Sequence, residues 1–342
     1  MSYNVAVVGA TGAVGREMLQ TLFERKFPVK NIYALASRSS VGKEVSFGDD
    51  KILKVSAVDD FDFKKADIGL FSAGSDIAKK FGPRAGVKGC IVIDNSSCFR
   101  MDDKVPLIVP EVNPDHIDLI KTQKFTEDGT GFIVTNPNCV AVPLSLALKP
   151  IHDAFGIDAL QVTTMQAISG AGYPGVASLD ILGNVVPFIG GEEPKIAPET
   201  QKLLAVYSDG KLDEPDYPVD ATCTRVPTLN GHMAAVNVKL KKKPADIDEV
   251  KKAVLSFENP IADLELPFAP KQVIRLHEKE TYPQPRLHAD HENGMQLHMG
   301  RLRKAEIFDI SFVCMAHNTI RGAAGGAILN AELLVKKGYL KQ

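Results

Sequence analysis

What the sequence lacks narrows the possibilities first. No stretch of the 342 residues approaches the roughly 18 consecutive apolar residues that a membrane-spanning helix needs. The opening residues Met1-Ser-Tyr-Asn-Val5 lack the basic and apolar regions of a secretory signal. Forty Lys and Arg against 42 Asp and Glu leave a formal net charge of −2, with no excess of one sign to attract nucleic acid or an anionic membrane. Cysteine is scarce and odd in number: Cys90, Cys98, Cys139, Cys223 and Cys314, with no Cys-x-x-Cys. That pattern predicts reduced thiols in a cytoplasmic protein, not a disulfide framework. His288, His291 and His298 share one segment, but no cysteine or paired carboxylate completes a ligand set, so no metal is expected there. What remains is ordinary for a globular protein, 44% hydrophobic and 24% charged, and long enough for two domains.

The first domain begins with Val5-Ala-Val-Val8, a continuous apolar strand running into Gly9-Ala-Thr-Gly-Ala-Val-Gly15. Val14, Met18, Leu19, Leu22 and Phe23 follow at helical spacing. Strand, glycine turn and helix make a Rossmann-type βαβ start, in which backbone N–H groups and a helix N-terminus face a pyrophosphate. Gly9, Thr11, Gly12, Ala13, Val14 and Gly15 are the candidate contacts. The next strand, Ile32–Ala36, ends in Ser37-Arg38-Ser39-Ser40, where an NAD-binding domain places an acid for the ribose; none comes before Glu44. A guanidinium beside hydroxyls suits a 2′-phosphate, so NADP is expected over NAD. Further strands at Ile68–Phe71 and Ile91–Ile93 end in small polar residues, Ser72 among them, and indicate a parallel sheet with ligands at its carboxyl ends. Arg100 lies beyond one such tip, placed for an anion. Lys121 to Thr130 is expected to be a loop.

Phe132-Ile-Val134 predicts a short buried strand, and Val140, Leu144, Leu146 and Leu148 the apolar face of a helix. Between them, Thr135-Asn-Pro-Asn138 are turn and cap residues, so Cys139 falls at a strand-to-helix turn, where the helix dipole favours a thiolate. A small buried apolar cysteine is the alternative at this point. Beyond Ala154 the pattern changes to strands mixed with helices: Leu160–Gln166, Ala221–Pro227 and Ala235–Leu240, the last two expected as neighbours joined through Thr228–His232, then a helix over Ile247–Phe257 and a strand over Ile307–Met315. Tyr173 to Ser208, rich in Gly and Pro, is expected to be a loop and a helix start. The second domain is therefore predicted as α+β with a mixed, mostly antiparallel sheet, one face of which a second subunit could cover. Domain limits are set at 1–138 and 139–317, with a small-residue helix within 318–342 returning to the first domain.

The glycine turn, Asn136-Pro-Asn-Cys139, Gln166-Ala-Ile-Ser-Gly-Ala-Gly172 and Arg225-x6-His232, in that order over nearly the whole chain, resemble the aspartate-β-semialdehyde dehydrogenase family. The resemblance implies reduction of L-aspartyl 4-phosphate by NADPH to L-aspartate 4-semialdehyde and phosphate through a cysteine thioester, in lysine, threonine, methionine and diaminopimelate biosynthesis. It implies Cys139 as nucleophile, His232 as acid–base residue and Gln166 as an orienting group. It implies Arg225 on the substrate carboxylate, Glu192 on the substrate amino group, and Arg100 with Lys195 on phosphate. It adds Arg38, Ser39, Ser40, Ser72, Ser169 and Gly170 to the cofactor contacts, and a homodimer, with a dimer of dimers as the larger option. Two departures stand out: relatives often carry two arginines where this chain has Arg38-Ser39, and an asparagine near the nicotinamide where this chain has Gly326.

Three rivals share part of this pattern. N-acetyl-γ-glutamyl-phosphate reductase typically shows Pro-Gly-Cys-Tyr-Pro at its nucleophile, unlike Asn-Pro-Asn-Cys-Val here, and its acetylated amine needs no acid such as Glu192. A non-catalytic nucleotide-binding paralogue would be expected to lose the cysteine or the histidine. Glyceraldehyde-3-phosphate-type enzymes place the nucleophile in Ser-Cys-Thr-Thr-Asn, which is absent.

Overall fold

A computed structural model describes residues 2–49 and 51–340; Met1, Lys341 and Gln342, which fall at the expected domain limits, lie outside the described residues. The first apolar run forms β1 (Tyr3–Val8), followed by α1 (Ala13–Glu24) and β2 (Val29–Ala36). Then come β3 (Ser56–Ala57), β4 (Ile68–Phe71), α2 (Ser75–Val87), β5 (Ile91–Asp94) and β6 (Phe132–Thr135). They make one parallel sheet in the order β3-β2-β1-β4-β5-β6. β4, β5 and β6 are buried at every position, as expected of parallel strands covered on both faces. One face packs on α1 and on the last helix of the chain; α2 and its neighbours cover the other.

α3 (Ala141–Phe155) leads into the second layer system: β7 (Ile157–Gln166), α4 (Glu193–Leu203), β8 (Val219–Arg225), β9 (His232–Leu240), α5 (Ile247–Leu255), β10 (Ile274–His277), β11 (Leu297–Lys304) and β12 (Ile310–Ala316). α3 has 11 buried residues of its 15, so it is wrapped on nearly all sides and not amphipathic. The sheet order is β8-β7-β9-β12-β11-β10, antiparallel through the centre and parallel at both edges. The sheet is mixed, as expected, but β8 and β9 are not neighbours. β7 lies between them, paired in parallel with β8 and antiparallel with β9. Alternating burial along β7 and β9 leaves one face open, with Gln161, Thr163 and Lys239 on it.

Tyr173–Ser208 holds more structure than its composition suggests. α4 is an 11-residue helix, with Pro194 in its first turn and Pro198 one turn further on. A proline in the first turn forfeits no hydrogen bond, so Pro194 signals the helix start, whereas Pro198 lies inside the helix and gives up one bond there. After β12, a π-helical turn over Ile320–Ala324 opens α6 (Gly325–Lys336), whose Ala327, Ile328, Leu329, Ala331, Leu333 and Leu334 join the core of the first sheet. No helix among the described residues is long and apolar enough to cross a membrane.

Candidate active site

The turn from β1 to α1 depends on two glycines. Gly9 adopts φ +93°, and a side chain there would fall 2.4 Å from the Ser72 carbonyl oxygen. At Gly15 a side chain would fall 2.1 Å from the Gly9 carbonyl oxygen, so only glycine lets α1 sit this close to the strand tip. Gly12 caps α1 with no side chain over the helix N-terminus, which leaves the first N–H groups to a ligand anion. The Thr11 carbonyl accepts from Arg16 Nε at 3.3 Å.

At the tip of β2, Arg38–Ser40 form a single 3-10 turn. Arg38 is largely exposed and its Nη2 lies 2.7 Å from Asp60 Oδ1. The hydroxyls of Ser37 and Ser39 are 3.0 Å apart, while Ser40 is buried and accepts from Lys43 Nζ at 3.5 Å. Sequence reasoning missed both Lys43 and Asp60. A basic residue five places after Arg38 was a usable signal for Lys43. Asp60 meets Arg38 only through the pairing of β2 with β3, and no local pattern announces it.

A cleft of about 400 Å³ runs between the two sheets. Val14, Ser72, Asn95, Arg100, Gly322 and Ala323 line it on the first-domain side, and Cys139, Gln166, Arg225, Glu192 and Lys195 on the other. Strand register assembles part of this set. Arg225, the last residue of β8, pairs with Gln166, the last of β7, and pairing of Met165 with Met233 puts His232 beside them. Gly326 does not reach the cleft: it packs against the Arg321 carbonyl, and Gly322 and Ala323 are the residues of this segment that line it.

Cys139 stands two residues before α3, its backbone pressed on Gly322, where an added methyl would lie 2.8 Å from the cysteine Cβ. Asn138 fixes the turn from both sides. Its Oδ1 accepts the Val140 N–H at 2.8 Å, its Nδ2 donates to Glu192 Oε2 at 2.9 Å, and its backbone N–H donates to Glu199 Oε2 at 2.6 Å. Glu199 Oε1 takes Arg100 Nη1 at 2.9 Å, and Arg100 also donates to the Asn136 and Asn95 carbonyls at 2.8 and 2.7 Å. Lys202 Nζ ties down the same loop through the carbonyls of Arg100, Asp102 and Val105. Glu192, Lys195, Glu199 and Lys202 thus form one stripe along α4 and its cap, at spacings of three, four and three. That periodicity was the missed signal for Glu199 and Lys202.

Electrostatics favour the neutral forms of Cys139 and His232 among charged neighbours. Burial pushes the Cys139 thiol up to about 12, with the Glu192 carboxylate adding to the rise and Arg100 and Arg225 opposing it. The thiolate expected at this turn is therefore not the resting state, because burial and Glu192 outweigh the cations around it. Glu192 is itself disfavoured by burial, yet Lys195 at 2.7 Å and Asn138 hold its carboxyl below the usual range. Burial, helped by Arg225 and His317, drives His232 down to about 3. His232 Nδ1 accepts the Ala167 N–H at 3.0 Å, so the neutral ring carries its proton on Nε2, which is buried without a partner. Arg225 keeps one edge on the Ala167 carbonyl at 2.8 Å.

His232 does not open directly into the cleft. Gly170 covers it so closely that a methyl there would stand 2.8 Å from His232 Nε2 and 3.0 Å from Arg225 Nη1. Ser169 faces a neighbouring hollow with Ala13 and Arg16, and its hydroxyl accepts from Asn318 Nδ2 at 2.8 Å. Away from the cleft, the rings of His277, His288, His291 and His298 cluster: His277 stacks on His298, with His277 Nε2 and His298 Nδ1 3.0 Å apart, and the other contacts are edge-on or tilted. Among the described residues, no group of three or more His, Cys, Asp or Glu is arranged to hold a metal.

Known proteins are similar to this chain in sequence and fold. Residues 4–120 match the family described as semialdehyde dehydrogenase, NAD binding domain, and residues 148–321 its dimerisation domain. An aspartate-semialdehyde dehydrogenase of Archaeoglobus fulgidus is 42% identical over 98% of this chain and 99% of its own. The crystal structure of the Candida albicans aspartate semialdehyde dehydrogenase with NADP superposes with a TM-score of 0.86 at 35% identity, covering 98% of this chain and 99% of that one. The Vibrio cholerae aspartate semialdehyde dehydrogenase II complexed with ASA gives 0.82 at 34%, covering 99% of both. By these matches, over both domains and nearly the full length, the chain belongs to the aspartate-semialdehyde dehydrogenase family.

Proposed function

We propose that this chain catalyses the NADP-dependent interconversion of L-aspartyl 4-phosphate with L-aspartate 4-semialdehyde and phosphate. The observation that carries the reading is the placement of Cys139, on a turn between a glycine-cradled nucleotide site and a ring of Gln166, Arg225, Glu192, Lys195 and Arg100. Arg225 presents a guanidinium for the substrate α-carboxylate. Glu192, kept ionised, suits a free ammonium, which favours this substrate over an acetylated amine. Arg100 and Lys195 stand for the phosphate. Pairing of Glu192 with the substrate ammonium offsets its push on the thiol and favours loss of the Cys139 proton to water. The sulfur then adds to the acyl carbon, phosphate leaves, and a thioester remains on Cys139. NADPH, when bound, supplies the hydride that reduces this thioester; the C–S bond breaks, giving the aldehyde and the thiolate. His232 is the acid–base residue and enters as a neutral ring with an Nε2 proton to give. Gln166, beside Glu192, orients the reacting group.

The nucleotide is assigned to Gly9–Gly15, Ser72 and Gly170 around the cleft, Ser169 at its neighbouring hollow, and Arg38, Ser39 and Ser40 at the 2′-phosphate. Domain limits at 138/139, with the segment from 318 onward added to the first unit, agree with the packing of α6 on the first sheet. A homodimer through the second domain accords with its family description, with the open sheet face, and with Tyr173, Leu179, Leu182 and Phe188, each at least 62% exposed. A dimer of dimers and a cytoplasmic location complete the proposal. The test is oxidation of the semialdehyde with phosphate, NADP against NAD, followed by reduced-cofactor absorbance. Cys139→Ala should lose at least about 10⁴-fold in rate, and turnover near the parent's would end the thioester route.

A further inference from the structure

Three asparagines from distant parts of the chain form a directed relay that ends in the cleft. Asn330, on α6, donates from Nδ2 to the Ile108 carbonyl at 3.3 Å and to Asn136 Oδ1. Asn136 donates from Nδ2 to the Ala323 carbonyl at 3.1 Å and to Asn95 Oδ1. A backbone carbonyl can only accept, so Ile108 and Ala323 decide which end of each amide is nitrogen. With Asn136 fixed in this way, Asn95 must turn its oxygen toward Asn136. Its Nδ2 is then left over: buried, without a partner in the protein, on a residue that lines the cleft. A buried N–H₂ held in one orientation without an acceptor is costly unless a ligand oxygen completes it.

The position of Asn95 indicates which oxygen. It follows β5, on the opposite side of β1 from β2 and β3. In a doubly wound sheet a dinucleotide crosses the carboxyl ends of the strands, one nucleotide on each half. Arg38, at the tip of β2, marks the 2′-phosphate half; Asn95, together with Gly322 and Ala323, stands on the nicotinamide half. Gly326 has no side chain to offer an amide there; it packs beside the relay, its Cβ position 3.7 Å from Asn136 Nδ2, an ordinary van der Waals distance.

We propose that Asn95 Nδ2 donates to the carboxamide oxygen of the nicotinamide and so sets the ring over Cys139, with Asn136 and Asn330 as positioning residues that keep the Asn95 amide turned the right way. This inference rests on the NADP reading above. The rival acceptor is a phosphate oxygen, because the Asn95 backbone carbonyl also takes Arg100 Nη2.

Calorimetric titration of the full chain separates the two. The ligands are NADP, 2′-phospho-ADP-ribose (which lacks the nicotinamide) and inorganic phosphate, the last also read as a KM. Asn95→Ala and Asn95→Asp should each weaken NADP about tenfold while leaving 2′-phospho-ADP-ribose within about twofold for the uncharged variant. Asn330→Ala should weaken NADP about threefold, again without loss of 2′-phospho-ADP-ribose. Equal loss of both nucleotides would make these residues structural only. A raised phosphate KM with NADP affinity unchanged would assign Asn95 to phosphate; either result overturns the proposal. Failure of the parent chain itself to bind NADP would instead sink the cofactor reading beneath it.

Discussion

At the cysteine end of the groove, Arg100 and Glu199 have side chains 8% and 2% exposed; at the other end, Arg38 and Asp60 are 66% and 63% exposed. Both are Arg–carboxylate pairs at hydrogen-bond distance, yet they do different things. Water and salt screen the outer pair, and exposed ion pairs contribute little. The inner pair cannot lose one member without stranding a buried charge, and its partner atoms belong to the loop that carries Cys139. The inner end is therefore a rigid construction in which geometry decides, and the outer end an adjustable one in which charge decides. Substitutions should divide along the same line.

Arg225→Lys is the strongest way to break that comparison after loss of the nucleophile. It keeps the charge but removes the planar fork that holds the Ala167 carbonyl on one side and, by proposal, the substrate carboxylate on the other. KM for the semialdehyde should rise by about 10- to 100-fold with NADP affinity intact. A KM within twofold of the parent would show that charge alone suffices at the inner end and that the distinction is false. Arg38→Ala tests the outer end and should have the smaller effect. The ratio of NADPH to NADH affinity should fall by about tenfold, with KM for the semialdehyde unmoved. Equal weakening of both cofactors would remove Arg38 from the 2′-phosphate.

The same division explains what was legible in the sequence. Strands β1, β4, β5 and β6 were visible because parallel strands are apolar throughout, and the glycine turn because a dinucleotide needs backbone approach at fixed spacing. Cys139, Gln166, Arg225 and His232 stood out because each belongs to a motif a few residues long. Glu199 and Lys202 were missed because the helix start expected within Tyr173–Ser208 carried no length: Pro194 marks where α4 begins, and Pro198, inside it, hides how far it runs. The adjacency of β7 to β8 and β9 was missed because a parallel edge pair is joined through a long excursion, and nothing local in Leu160–Gln166 announces the partner. The thiolate expectation weighed the helix end and not the burial that structure imposes. The asparagine relay joins positions 95, 136 and 330, a separation that only the packing of α6 on the first sheet bridges.

The smallest effect discriminates best between an adjustable outer end and an inert one. Asp60 occupies Arg38 at 2.7 Å, so a 2′-phosphate arriving there must compete with a carboxylate already in place. Asp60→Asn removes the competing charge while leaving an oxygen in the same position. NADP affinity should then improve by about two- to fivefold at low salt, the gain shrinking as ionic strength passes about 0.15 M, because both attraction and competition there are screened. NADH affinity should stay constant, since it carries no 2′-phosphate for the freed guanidinium to meet. A loss of NADP affinity in Asp60→Asn would mean that Asp60 orients Arg38 toward the phosphate. In that case the outer end would also work by geometry, and the contrast with Arg100 and Glu199 would reduce to exposure alone.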